Sequence, residues 1–168
     1  MALHDLNTPP DFLAIVRGLS FDNIIGLDPC SNATSYVDAE TEWCEADDGL
    51  SKSWRGHGLV FMNPPHSMSP YNIEPWMEKA YNEFIKGSPF ITDAREDQFV
   101  GLVPAKTDTA WFHAHARHFG KCFLRGRLKY WQDGHETPGP GKFGSLVLYA
   151  GSRGRDFQEL FRPLGWVV

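Results

Sequence analysis

Residues 59–66 read "LVFMNPPH": four apolar side chains, then an amide, two prolines and an imidazole. A short apolar run bounded by turn residues is a buried strand, because Asn and Pro end strands and open turns. The prolines add stiffness, since each fixes its own φ and restricts the residue before it. The Asn63 side-chain oxygen and the Pro64 carbonyl are therefore preset acceptors at a strand end. A second run, "NIIGLD" over 23–28, stops in the same manner, at Asp28-Pro29-Cys30. If the two strands are parallel neighbours, both polar ends face one crevice.

Working outward, Thr8 is placed to cap a helix opened by Pro9 and Pro10. Phe12, Leu13, Val16 and Leu19 continue it as an apolar stripe. A helix is expected over "YNIEPWMEKAYNEFIKG", with Ile73, Trp76, Ala80 and Phe84 on its core face and Gly87 as the stop. Another is expected from a cap at Thr107 or Asp108 to Gly120. "QFVGLVP", "CFLRGRLKYW" and "FGSLVLYA" read as strands, and residues 132–142 as a polar Gly/Pro-rich loop. Uniformly apolar strands alternating with helices indicate a mostly parallel sheet with helices on both faces, an α/β fold. In such sheets ligands sit beyond the carboxyl ends of the strands.

The 168 residues suit a single domain spanning 1–168. No apolar run approaches the roughly 18 residues that span a bilayer, and "MALHDLNTPP" lacks the basic and apolar regions of a secretion signal. Three cysteines without CxxC spacing argue against a disulfide framework and a structural zinc site, which fits a reducing cytoplasm. Residues 1–100 hold 6 Lys/Arg against 16 Asp/Glu, and residues 101–168 hold 10 against 5. The basic part is a candidate polyanion-binding face, the plainer alternative being an unevenly charged solvated surface.

Two fixed acceptors suit an amino group with two hydrogens to donate. An exocyclic amine on a nucleobase is a poor nucleophile because its lone pair is conjugated into the ring. Accepting both hydrogens favours a pyramidal nitrogen and aims its lone pair, through orientation and electrostatic preorganisation, without a strong base. A flat side chain after the prolines would stack on the base.

The segments "NTPPDF", "GLDPCSN", "EADDGLSKSW", "VFMNPPHS", "IEPWMEKAY", "LVPAKTDTAWFH" and "FLRGRLKYW" together resemble the phage-type Dam family of DNA adenine-N6 methyltransferases. That family lies within the Rossmann-like S-adenosylmethionine-dependent enzymes. The resemblance implies a Rossmann-like methyltransferase fold without a separate target-recognition domain, S-adenosylmethionine as cofactor and double-stranded DNA as partner. It also implies a phage or prophage origin in a bacterial host cell. It assigns the amine grip to Asn63 and Pro64, with Pro65 and His66 completing the tetrapeptide. Asp28, with Pro29 and Cys30, falls beside the methionine part of the cofactor. Asp48, or else Asp47, meets its adenine amino group, and Thr8 and Pro9 match the segment that folds over it. His66 stands where the family usually has Tyr or Phe. "DPCSNATSYV" lacks the glycine-rich turn common after the first strand. The ribose acid is left among Asp38, Glu40 and Glu42.

An adenine in a duplex must be flipped out, at a cost of a few kcal/mol, before it reaches a deep crevice. Arg125, Arg127 and Lys129 alternate along the expected strand and so share one face, with Lys121 nearby and Lys106 after another strand. These cations suit a phosphate backbone, though an edge strand also carries cations to deter aggregation. Lys142, Arg153 and Arg155 extend the candidate footprint. Sequence specificity would be short and read by loops such as 132–142. His113, His115 and His118 lack a carboxylate partner at ligand spacing, so no metal is expected. The activity implied is methyl transfer to adenine N6 in DNA. The alternatives are transfer to RNA adenine or protein glutamine, or a DNA-binding module of the same fold with weak or no turnover.

Overall fold

The computed structural model describes residues 6–65, 72–87 and 96–168. In chain order its regular elements are α1 (Pro10–Arg17), β1 (Leu27–Asp28), β2 (Thr41–Glu42), β3 (Leu59–Met62), α2 (Glu74–Tyr81), β4 (Gln98–Pro104), α3 (Ala110–Ala114), β5 (Gly120–Leu124), β6 (Trp131–Gln132), β7 (His135–Glu136), β8 (Ser145–Ala150), α4 (Gly154–Phe161) and β9 (Gly165–Val167). A seven-stranded sheet runs β2-β1-β3-β4-β8-β5-β9, and β6 and β7 form a separate hairpin. The pairs β2/β1, β1/β3 and β3/β4 are parallel. Strand β8 is antiparallel to both β4 and β5, and β9 is antiparallel to β5. The result is a mixed α/β sheet in which β8 and β9 oppose the other five strands. The chain leaves β1 for β2 on one side and returns to β3 on the other, so strand order reverses between β1 and β3. Such a switch point opens a crevice at the carboxyl ends of the two strands.

Side chains alternate across the sheet as a two-residue period demands. Leu59, Phe61, Val100 and Leu102 pack on one face with Phe12, Leu13 and Val16 of α1 and Phe157 and Phe161 of α4. Val60, Met62, Phe99 and Val103 pack on the other with Met77 and Ala80 of α2 and Trp111 and Phe112 of α3. Each such apolar side chain contributes about 1.5–3 kcal/mol when fully buried.

Four expectations change. The strand expected through "RGRLKYW" stops at Leu124. The chain turns at Gly126, whose φ of 76° a strand does not accommodate. Arg125, Arg127 and Lys129 therefore do not share a strand face. The helix expected up to Gly120 is only α3 followed by a 3-10 turn, Ala116–His118, with His115 at φ −128° breaking it. The polar loop at 132–142 begins with a hairpin instead, turned by Asp133 and Gly134 with φ of 51° and 81°. This is the Asp-Gly turn whose twist suits two paired strands. The cap of α1 is Pro9, with no side-chain cap, so the Thr8 hydroxyl is not spent on that helix.

At the end of the sheet opposite the crevice, Gln98 is 2% exposed and fully engaged. Its Nε2 donates to the Leu19 carbonyl at 3.0 Å and its Oε1 accepts from the Tyr149 hydroxyl at 2.8 Å. Gln98→Leu would strip that hydroxyl of its acceptor and is expected to cost about 1–3 kcal/mol. Urea unfolding should report the loss, while ligand affinity at the crevice stays unchanged.

Candidate functional site

The register Leu27↔Val60 places the ends of β1 and β3 side by side. Extending it sets Cys30 next to Asn63, and the Asn63 backbone N–H donates to the Cys30 sulfur. The Asn63 side chain turns the other way, its Nδ2 donating to Thr8 Oγ1 at 3.1 Å. The amide nitrogen is so engaged, and no partner of Oδ1 occurs among the described residues. These residues edge a cavity of about 1140 Å³. Sites for single drug-sized ligands span about 300–1,000 Å³, so this one is at the upper end of that range.

The cavity collects Thr8, Asp28, Pro29, Cys30, Asp48, Asn63, Pro64 and Pro65. Pro9 and Asp47 lie off its wall. His66 falls outside the described residues. Asp47 has a local task, accepting from the Cys44 backbone N–H at 2.9 Å. That hydrogen bond, followed by the one from the Cys44 thiol, holds its carboxyl below the usual range. Asp48 adopts the left-handed conformation (φ 50°) that leads into Gly49. A Cβ on Gly49 would come within 2.1 Å of the Pro29 carbonyl oxygen, so only glycine lets this turn close against the end of β1.

Asp28 is 4% exposed, and burial pushes its carboxyl up to about 7. The hydrogen bond from the Cys30 N–H, at 3.1 Å, opposes the rise, and the nearby Glu42 charge adds to it. The same burial, then the Asp28 charge, drive the Cys30 thiol well above its ordinary value. Among the described residues no cation offsets this burial.

Several wall residues escape a reading by sequence. None of Asp38, Glu40 and Glu42 lines the cavity, whereas Glu45, just past β2, does. Trp76, expected in the core, is half-buried and lines the cavity. It stacks on buried Trp54 (6.2 Å, 25°), which stacks in turn on Phe99 (6.4 Å, 12°). Trp54 also donates to the Gly49 carbonyl at 2.8 Å, tying this column to the Asp48 turn. The far wall is Thr137–Ser145, including Lys142 and Phe143. Phe143 is 44% exposed, with Lys106 Nζ 4.1 Å from its ring centroid.

The remaining expected cations are scattered. Lys121 lies toward the amino end of β5, away from the cavity, and donates to the Arg117 and Phe119 carbonyls. Arg125 donates to the Pro163 carbonyl, and Lys129 pairs with Glu136 at 3.5 Å. Arg127 is exposed and has no ion pair among the described residues. His115 and His118 pack on the Tyr81 ring at 5.4 and 5.2 Å. No group of three His, Cys, Asp or Glu suited to a metal occurs among the described residues. No helix among them is long and apolar enough to cross a membrane.

Residues 2–150 match the family model described as DNA N-6-adenine-methyltransferase (Dam), and the chain belongs to that family. No curated protein matches it.

The Asp28 carboxyl has a signature in folding. Because its pKa is raised in the folded state, the native protein holds this proton more tightly than the unfolded chain does. That stabilisation is complete below about pH 4 and is lost as pH rises through about 7. Asp28→Asn removes the dependence. Between pH 4 and pH 8 the stability of the variant relative to the parent should therefore rise by roughly 2–4 kcal/mol, read by paired urea titrations.

Proposed function

From membership of the DNA adenine methyltransferase family, we propose that the chain transfers a methyl group from S-adenosylmethionine to N6 of an adenine flipped out of DNA. The observation that carries this reading is Asn63, whose amide nitrogen is bound to Thr8 and whose oxygen is left as an acceptor at the cavity edge, next to Pro64. S-adenosylmethionine fits the residues present. It brings an ammonium and a sulfonium, which suit the buried Asp28 carboxyl, a ribose diol, which suits Glu45, and a purine, which suits the wall of Asp48, Leu50 and Trp76. When bound, it supplies the electrophilic methyl.

The protein's part is to hold the amine. Asn63 Oδ1 and the Pro64 carbonyl accept the two N6 hydrogens, drawing the nitrogen lone pair out of the purine ring and directing it at the methyl. As the nitrogen bonds to the methyl, the methyl–sulfur bond breaks, and the methylated, cationic N6 then releases one proton to water, since neither amide oxygen is basic enough to keep it. Because Pro64 and Pro65 fix the backbone, the acceptors need no reorganisation as charge develops. Asp28, Pro29 and Cys30 set the cofactor against that amine.

For DNA, Lys142 at the cavity wall, Lys106 beside Phe143 and exposed Arg127 are the cations suited to the phosphates flanking the base. Arg125 and Lys129 extend this set, and Lys121 does not. The loop Thr137–Ser145 and the β6–β7 hairpin are the segments suited to reading a short sequence. The Phe143 ring offers a flat face at the rim.

The test is methyl transfer from methyl-labelled S-adenosylmethionine to adenine-containing duplexes, followed by digestion to nucleosides. Label is expected in N6-methyladenine of DNA; label confined to RNA or protein, or salt-dependent DNA binding without transfer, would contradict the proposal. Asn63→Ala should lower turnover about 100- to 1,000-fold while cofactor affinity, measured by calorimetry, stays close to the parent value.

A further inference from the structure

We infer that Thr8 is a positioning residue for the amine clamp: its hydroxyl accepts from Asn63 Nδ2 and anchors that amide with its oxygen end toward the substrate. The inference rests on the reading of Asn63 as the grip on the target amine.

An Asn amide is nearly symmetric in shape, and its oxygen and nitrogen exchange places by a half-turn about one bond. The two orientations are opposite in chemistry. Oxygen outward accepts from an amino group; nitrogen outward presents donors to donors and repels it. A hydroxyl can accept from the nitrogen or donate to the oxygen, so Thr8 anchors the amide and the orientation is the one observed. At Asn63 the observed partner of the nitrogen is Thr8 Oγ1, at 3.1 Å across 55 residues of chain.

Thr8 is built for this task rather than for capping. It is 3% exposed, and the helix after it takes Pro9 as its N-cap with no side-chain cap bond. The hydroxyl is thus free of the role that a threonine before a Pro-Pro helix start ordinarily fills. Thr8 is also held on both sides. Pro9 and Pro10 stiffen the chain after it. Before it, the Asn7 backbone pairs with Trp131 (2.8 and 2.9 Å). The Asn7 side chain donates to Thr34 and accepts from Asn32, both at 3.0 Å. Those partners follow β1, on the cofactor side of the cavity. The Thr8 hydroxyl therefore sits at a fixed point, and Asn63 directly follows β3, which is paired with β1 and β4.

The experiment compares the full chain with Thr8→Val and Thr8→Ser. Val keeps the volume and the methyl packing and removes the hydroxyl; Ser keeps the hydroxyl. In steady-state transfer to duplex DNA, Thr8→Val should lose about 100-fold in kcat with cofactor Kd within about threefold of the parent, and Thr8→Ser should recover most of the loss. Three results would overturn the inference: kcat of Thr8→Val within about twofold of the parent, Thr8→Ser as impaired as Thr8→Val, or a rise in cofactor Kd that accounts for the whole loss. A readout without turnover separates this inference from the proposed activity. In a nitrogen-15 spectrum of the parent, the Asn63 side-chain NH2, assigned by its loss in Asn63→Asp, should exchange slowly and show contacts to the Thr8 side chain. Exchange as fast as that of an exposed Asn, or contacts to the cavity instead, would refute the inference even if Thr8→Val failed to fold. A parent that leaves DNA unmethylated but shows the protected NH2 would sink the activity and leave the Thr8–Asn63 contact standing.

Discussion

The parallel pairing of β1 with β3 is the constraint on which the site depends. One register, Leu27 opposite Val60, carries Asp28 and Asn63 to the same rim and sets Cys30 beside Asn63. A slip of one residue would send the side chains of a strand to the opposite face. It would part the buried acid from the amide. The register is held from both faces, because Phe61 packs under α1 and α4 while Val60 and Met62 pack under α2 and α3. The core therefore does more than stabilise the chain. It sets the spacing between the buried Asp28 carboxyl and the oxygens of Asn63 and Pro64, and the chemistry proposed here is a consequence of that spacing.

The site accepts an electrostatic penalty at Asp28. A carboxyl raised to about 7 by burial is an unfavourable place for a negative charge in the unliganded protein. A cation bound beside the carboxyl would shrink that penalty. Around it, rigidity comes from prolines and aromatic stacking. Pro64 and Pro65 stiffen one edge of the cavity. Trp54, sandwiched between Trp76 and Phe99, supports the other. The strap of Asn7 and Trp131 joins the amino-terminal segment to the hairpin. Preorganisation of this kind suits a reaction whose barrier falls by aligning groups rather than by strong acids or bases.

Much of this was legible in the sequence, and the reasons are local. Asn-Pro-Pro and Asp-Pro-Cys announce themselves because strand ends, prolines and polar caps are written in consecutive residues. The stripe of Phe12, Leu13, Val16 and Leu19 is equally local, and all four are buried. What eluded the reading depends on distant chain. Strands β2 and β9 have two and three residues, too few for a period to register. Trp76 looks like core on a helical wheel, and only the packing of α2 beside the Gly49 turn opens it to the cavity. Glu45 joins the wall because a turn after β2 brings it there. Asp47 and Asp48 are indistinguishable by spacing and are separated by the Cys44 hydrogen bond that occupies the first. Two features were local and still misread. Asp133-Gly134 is a hairpin turn, and Gly126 turns the chain just after β5, where alternating charges suggested a longer strand.

The central claim is that Asn63 and Pro64 grip an extruded purine amine while the cofactor lies against Asp28. A crystal structure of the protein with S-adenosylhomocysteine and an adenine-containing duplex tests it most directly. The account predicts an unpaired adenine in the cavity with N6 about 2.7–3.2 Å from both Asn63 Oδ1 and the Pro64 carbonyl oxygen. An adenine whose N6 meets neither oxygen, or a cofactor seated away from Asp28, would contradict it.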